Sequence, residues 1–328
     1  MQIVKFLISN SSFLINVMSF STETKREICR KLSTRLPLQY SELYAMLLLG
    51  REFRPDSIVF KTENEHTFSH FIFLADKLFK AKCEVVAPMK GESGRNRTYT
   101  VTVKSPDKCR RIFEYYGHDE REITLRVNRA NIDDEEEQRA FIRGAFLACG
   151  SVTDPDKGYH LEFAVSYLNL CMDICRIIRE IQDCDINAKT LSRGGAYIAY
   201  IKDSEQITDL LTYMGAVNAA MNVMGTKALK QVRNTANRKA NSEIANLQKT
   251  ASASARQIRA INKLKKDGRY NLLPDELKAL AQLRYDYPEL SLRDLGARLD
   301  PPISRSGVNH RLEKIINMAE EDEHEQDK

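Results

Sequence analysis

The chain has 328 residues, 42% apolar and 29% charged, with 14 glycines, nine prolines and a net charge of +5. That is enough to bury one or two ordinary cores, too polar on average for a membrane protein, and too poor in Gly and Pro for a collagenous or largely disordered chain. The charge is uneven: residues 1–218 hold 30 basic and 30 acidic side chains, residues 219–318 hold 19 basic against 9 acidic, and residues 319–328 hold six acids and one lysine.

Residues 1–17 carry one lysine and no acid, and Ser9-Asn10-Ser11-Ser12 interrupts their apolar stretch. No small-x-small cleavage site follows, so a secretory signal is not indicated, and the stretch is too short to span a bilayer. Residues 1–17 are therefore expected to stand outside the fold, which is expected to start at Met18. From residue 41 the periodicity predicts a helix (Leu43 to Leu49), a strand (Ser57 to Lys61), and a helix through Phe71, Leu74 and Leu78. Strands at Cys83–Ala87 and Thr98–Lys104 follow, then a helix Pro106–Tyr116 closing at Gly117, a residue suited to a left-handed cap. The order then repeats: helix Glu135–Ala148, strand Tyr159–Val165, helix Leu168–Ile181, strands Ile186–Leu191 and Ala196–Ile201, helix Glu205–Met214 and Gly215. Tyr99 and Lys104 bound one strand as Tyr197 and Lys202 bound its counterpart, and Gly117 matches Gly215 at an offset of 98. A duplicated α/β unit over residues 18–218 is the reading, with a linker at 219–225.

Residues 226–319 read as an all-helical domain. Its first part is basic, with 12 Lys/Arg and two acids over residues 225–274, whereas residues 275–318 hold seven of each sign. An unbalanced basic block is retained most readily where it meets a polyanion. Ser291 to Leu299 starts with a capping serine and places Leu292, Leu295 and Leu299 on one face. Asp300-Pro301-Pro302-Ile303 must break that helix. The next helix starts at Ser304 and turns Val308, Leu312, Ile315 and Ile316 inward. Arg305, Ser306, Asn309, His310 and Arg311 are left on or near its outer first turns. A short helix, a tight break and a second helix whose exposed tip bears Arg, Asn and His form a helix-turn-helix over about 275–317, with partners for guanine and adenine edges in a major groove. The predicted contacts to double-stranded promoter or operator DNA are Arg305, Ser306, Asn309 and His310 on bases and Arg311, Arg238 and Lys239 on phosphates, with Ser291, Arg293 and Ser304 alongside. Residues 320–328 are expected to form a disordered acidic tail.

The remaining constellations are weaker. His66 and His70 stand at i, i+4 on a helix with no third ligand, and read as partly exposed histidines rather than a metal pair. Cys171 and Cys175 share a face with Leu168, Met172 and Ile178 and read as small core residues; none of the seven cysteines forms a C-x-x-C pair, which fits thiols in a reducing cytoplasm. Gly91-Glu92-Ser93-Gly94, followed by Arg95 and Arg97, reads as a hairpin tip. No dinucleotide or P-loop fingerprint is present, and no cofactor is expected.

Arg238 to Leu247 (RKANSEIANL) and Asp300 to Leu312 (DPPISRSGVNHRL) resemble the basic linker helix and the recognition segment of the WhiA family of bacterial sporulation and cell-division regulators. The likeness runs from Met18 to about Ala319. It implies an α+β fold: a degenerate LAGLIDADG homing-endonuclease-like domain of two αββαββ repeats about a pseudo-two-fold, forming a sheet saddle, followed by an all-α helix-turn-helix domain. Phe141 to Val152 is similar to the second LAGLIDADG motif, and Leu43 to Arg51 to a weaker first. In nucleases of that fold the last acid of each motif holds divalent ions, and here those places are Gly50 and Cys149, so the resemblance implies a non-enzymatic regulator with no catalytic or metal residues. Glu52 and Asp154 lie nearby as replacement carboxylates for the rival reading, an active metal-dependent endonuclease. An adaptor whose saddle binds a protein partner is a third. The resemblance further implies a cytoplasmic, nucleoid-associated protein of cell division, chromosome segregation or sporulation, with no membrane partner.

Overall fold

The computed structural model describes residues 18–87, 98–122 and 124–320. The 1–17 extension, the turn around Gly91–Arg97 and residues 321–328 of the acidic tail lie outside the described residues. Two compact units divide between Lys230 and Gln231.

The first unit opens with α1 (Phe20–Arg30), an element the periodicity did not reveal, capped by Ser19, whose side chain accepts from the Thr22 amide. The repeats follow. One is α2 (Leu36–Leu48), β1 (Glu52–Phe53), β2 (Ile58–Thr62), α3 (Glu65–Phe79), β3 (Cys83–Val86), β4 (Tyr99–Val103) and α4 (Pro106–Tyr115). Its counterpart is α5 (Glu135–Cys149), β5 (Gly150–Val152), β6 (Leu161–Val165), α6 (Leu168–Arg179), β7 (Lys189–Arg193), β8 (Ala196–Ile201) and α7 (Ser204–Tyr213). The two antiparallel sheets have the same order, β1-β2-β4-β3 and β5-β6-β8-β7. Gly117 and Gly215 both sit at positive φ, 72° and 81°, beyond α4 and α7, as left-handed caps do.

Local chemistry explains where the helices begin. Pro37 lies at the start of α2, and that helix begins about two turns before the apolar run that predicts it. Asp134 accepts the Glu137 amide at 2.7 Å, and Glu135, Glu136 and Glu137 complement the positive end of α5.

Registers make the duplication residue-specific. Glu52 pairs with Val59 and Ser151 with Glu162; Thr62 pairs with Tyr99 and Val165 with Tyr197. Glu52 and Ser151 are thus counterparts, and stepping back from them makes Gly50 the counterpart of Cys149 and Ala45 that of Gly144. α2 and α5 cross in the middle of one shared core that includes Leu43, Met46, Phe141, Ile142 and Phe146. Contact between Ala45 and Gly144 across this crossing is what a pseudo-two-fold axis between the helices demands.

Equivalent positions have diverged. Tyr44 accepts the Asn128 amide at 2.7 Å and lies 3.0 Å from His118 Nε2, tying the segment that joins the repeats to the core. Its counterpart Arg143 donates to the Ile28 and Lys31 carbonyls at 3.1 and 2.6 Å, fixing the end of α1. Arg143 also approaches Glu42, at 3.7 Å, and His70 lies 3.0 Å from the same carboxylate. His70 is therefore buried, not half-exposed as its spacing suggested: a buried carboxylate needs partners, and His70 supplies one. His66 is exposed, whereas Cys171 and Cys175 are core residues.

Residues 219–225 are helical rather than a linker. They lie in α8 (Val217–Lys266), whose Ala219, Ala220 and Val223 are buried in the first core, and a single Gly225 does not interrupt a helix so anchored. The second unit contains the remainder of α8, then α9 (Asp275–Asp286), α10 (Leu292–Ala297) and α11 (Arg305–Glu320). Its core is Ile261, Leu264, Leu277, Leu280, Leu295, Val308, Leu312, Ile315 and Ile316, with Leu292 and Leu299 partly buried against it. No helix among the described residues is long and apolar enough to cross a membrane.

Candidate nucleic-acid interface

α10 and α11 are built as a pair. Ser291 accepts the Asp294 amide at 3.3 Å, and Ser304 accepts the Gly307 amide at 3.2 Å. Between the helices the Ile303 amide donates to the Gly296 carbonyl at 3.0 Å. A Cβ on Gly296 would collide with the Ile303 carbonyl and stand 3.0 Å from Val308 Cγ2, so the tight turn requires glycine there. Gly296 was not singled out by sequence reasoning, although a glycine inside so short a helix is a signal of close approach.

With Val308, Leu312, Ile315, Ile316 and Ala319 buried, α11 turns Arg305, Ser306, Asn309 and His310 to solvent. Among the described residues, Arg305, Asn309 and His310 have no internal hydrogen-bond or ion-pair partner, so their donors and acceptors are open to a ligand. Ser306 shares a 2.9 Å hydrogen bond with Ser304. Ser291 and Ser304 are helix caps, with Ser291 also 2.7 Å from Asp294 Oδ2, and Arg293 is exposed on α10. Arg311 departs from its expected position: it is half-buried, and its guanidinium is held by Glu276 at 2.7 Å. The single residue step beyond His310, about 100° around the helix, takes it from the open tip onto the flank facing α9. Arg238 and Lys239 lie on the α8 stretch 231–250, every residue of which is exposed.

A buried arginine supports this pair from behind. Arg284 is 1% exposed, and its Nη1 donates to the Leu290 and Pro288 carbonyls at 2.7 and 3.3 Å; Ser254 of α8 donates to the same Pro288 carbonyl at 2.6 Å. The loop entering α10 is thus pinned from both α8 and α9. Leu277, Leu280, Ala281 and Arg284 fall at i, i+3, i+4, i+7, so the spacing marks Arg284 as a core-face residue.

At the ends of α2 and α5 the chemistry differs. Gly50 offers no side chain, and desolvation pushes the Cys149 thiol up to about 12, so it stays a neutral thiol. Lys25 of α1, its pKa pushed below the ordinary lysine value by burial, donates to the Leu147 carbonyl at 3.1 Å beside Cys149. Glu52 accepts from Ser57 at 3.1 Å and lies 3.8 Å from Arg54, while Asp154 caps the Asp156 amide at 3.0 Å. A divalent ion of the kind the fold's nucleases use wants hard anionic oxygens converging on one point. These residues do not fit it, and among the described residues no three His, Cys, Asp or Glu side chains group as metal ligands.

Comparison with known proteins agrees with this division. Residues 138–233 match the family model described as the WhiA LAGLIDADG-like domain, and residues 236–319 match the one described as the WhiA C-terminal HTH domain. The chain is 33% identical over 313 residues to a protein of Clostridium beijerinckii named "Probable cell division protein WhiA", covering 93% of this chain and 98% of that relative. It is 34% identical over 320 residues to the protein of the same name from Thermoanaerobacter pseudethanolicus, covering 92% and 97%. The crystal structure of full-length WhiA from Thermotoga maritima shares the fold, with a TM-score of 0.57 and 24% identity over 93% of this chain and 99% of that one. With the duplicated α/β unit, the helix-turn-helix and these matches in agreement, the chain belongs to the WhiA family.

Proposed function

We propose that this protein is a sequence-specific, double-stranded-DNA-binding transcriptional regulator of cell division, chromosome segregation or sporulation, acting on the nucleoid without nuclease activity. The observation that carries the reading is the tip of α11, where Arg305, Asn309 and His310 are exposed and uncommitted while the opposite face is sealed in a core. An exposed helix tip of this width enters a major groove, where Arg forks onto guanine and Asn onto adenine. Arg293, Arg238 and Lys239 supply phosphate contacts that fix register without reading sequence. The name of the relatives, a probable cell division protein, supports cell division as the process regulated.

Selection from a random duplex pool at fixed salt tests the reading. The expected result is an enriched site, and Asn309→Ala should weaken binding to it by roughly ten-fold or more while leaving non-specific binding nearly unchanged. Equal loss on both kinds of duplex, or no enrichment, would overturn it. Incubation with supercoiled plasmid and magnesium should leave the plasmid intact; nicking abolished by Glu52→Gln or Asp154→Asn would instead establish a nuclease.

A further inference from the structure

The exposed stretch 231–250 of α8 stands out within the second unit. Twenty consecutive helical residues have no packed face, although an amphipathic helix ordinarily lays one side on a core. At about 1.5 Å per residue the stretch is roughly 30 Å long. It carries Arg233, Arg238, Lys239 and Lys249 against Glu243 alone.

Its two sides differ in chemistry. At 3.6 residues per turn, Asn234, Asn237, Arg238, Asn241, Ala245 and Gln248 fall in one row without an acid. The row continues through Ser252 and Ala255 to Arg256, which pairs with Glu313 and Glu320 on α11 at 4.0 and 3.2 Å. Leu229, Val232, Ala236, Ala240, Glu243 and Leu247 fall on the other side. That seam runs on into Ser254, Gln257, Ile261 and Leu264, which are buried. The amide row therefore faces away from the unit's own core. Asparagine is a poorer helix former than alanine, because its side chain competes for backbone hydrogen bonds. Three asparagines on one face of a helix that no packing supports go against local preference, and such conflicts gather at sites that do something else.

We infer that the Asn234–Asn237–Asn241 row of α8 is a second DNA-reading element, seated in a groove of the same duplex and recognising bases while Arg238 beside it holds a phosphate. It rests on the proposed DNA-binding function and extends it. A helix fits the major groove, which is about 12 Å wide, and asparagine is a side chain that pairs bidentately with adenine. The absence of any acid from this row fits a polyanion, whereas an acidic amphipathic partner helix would use the Val232–Leu247 seam.

The test uses the full chain and the duplex selected from the random pool by the wild-type protein. Asn237→Ala/Asn241→Ala improves helix propensity, so the variant keeps its helix, checked by circular dichroism. The expected result is a ten-fold or larger loss on the selected duplex and relaxed base preference at positions different from those relaxed by Asn309→Ala. A uniform loss on all duplexes with a shallower salt slope would reduce this face to phosphate contact and overturn the inference. So would unchanged DNA binding, whether or not the variant loses a protein partner. If the wild type enriches no duplex, the proposed function itself fails, an outcome visible before any variant is made.

Discussion

Gly144 of α5 rests on Ala45 of α2, its own counterpart in the other repeat, and a Cβ at 144 would stand 2.9 Å from the Ala45 methyl and collide with the Glu42 carbonyl. The obstacle is backbone, which cannot swing aside as a flexible side chain would. Gly144→Ala should therefore destabilise the first unit by about 2 kcal/mol or more, at the upper part of the range for overpacked cores. Denaturant midpoints at unchanged slope would measure it, and a neutral substitution would show that the two helices do not cross where the registers place them.

Gly307 and Gly296 should respond oppositely to the same change. A Cβ on Gly307 meets nothing closer than Ser304 Oγ at 3.6 Å, so Gly307→Ala should raise helix stability by up to about 1 kcal/mol. If the α11 backbone lies close to a phosphate, that variant should nevertheless bind duplex more weakly. Gly296→Ala should lower stability outright, because of the Ile303 carbonyl. Calorimetry and anisotropy on the two variants together separate a glycine kept for a ligand from one kept for the turn.

Arg284→Met keeps volume in the core of the second unit but leaves the Leu290 carbonyl without its donor. Hydrogen bonds from charged groups contribute about 1.5–3 kcal/mol, and a loss of that order is expected in thermal unfolding. Duplex affinity should fall at temperatures where the variant is still folded, since Leu290 directly precedes the cap of α10. Arg284→Lys, which keeps a cationic donor, should restore part of both; stability loss with undiminished binding would mean the loop does not set the helix pair.

The buried thiols give the fold an alkaline limit. Burial pushes Cys29 and Cys149 up to about 12 and Cys83 up to about 11, against an ordinary 9.0. The folded state holds these protons more tightly than the unfolded one, so the associated stability is complete below pH 9 and is lost as pH rises from there towards 12. Unfolding midpoints should fall across that window and flatten in Cys29→Ala or Cys149→Ala. At pH 8 iodoacetamide should label these positions far more slowly in the folded chain than in urea.

Much of this architecture is legible in the residues. The repeat, its capping glycines and the inward face of α11 all follow from period and offset, because each is a local pattern that burial then selects. α1 escapes because its apolar residues are few and its role is contact at a distance, through Lys25 and through Ile28, which meets Arg143. The position of His70 escapes for a similar reason: only the fold brings Glu42, 28 residues away, to its ring. The ion pair of Arg311 with Glu276 needs α9 and α11 side by side, and spacing within one helix cannot supply that. Residues 219–225 look like a joint on composition alone, yet three small apolar side chains suffice to commit them to the first core.

The divergence of Tyr44 and Arg143 has a bearing on how the two halves could ever be exchanged. One side chain grips the strap between the repeats and the other grips the leading helix, and each of these segments occurs once per chain. A protein assembled from two first halves, or from two second halves, would leave one grip without its target and the other duplicated over nothing. The two halves are thus no longer interchangeable at the level of individual side chains, and symmetrised versions of this duplicated unit should not assemble without new straps to hold.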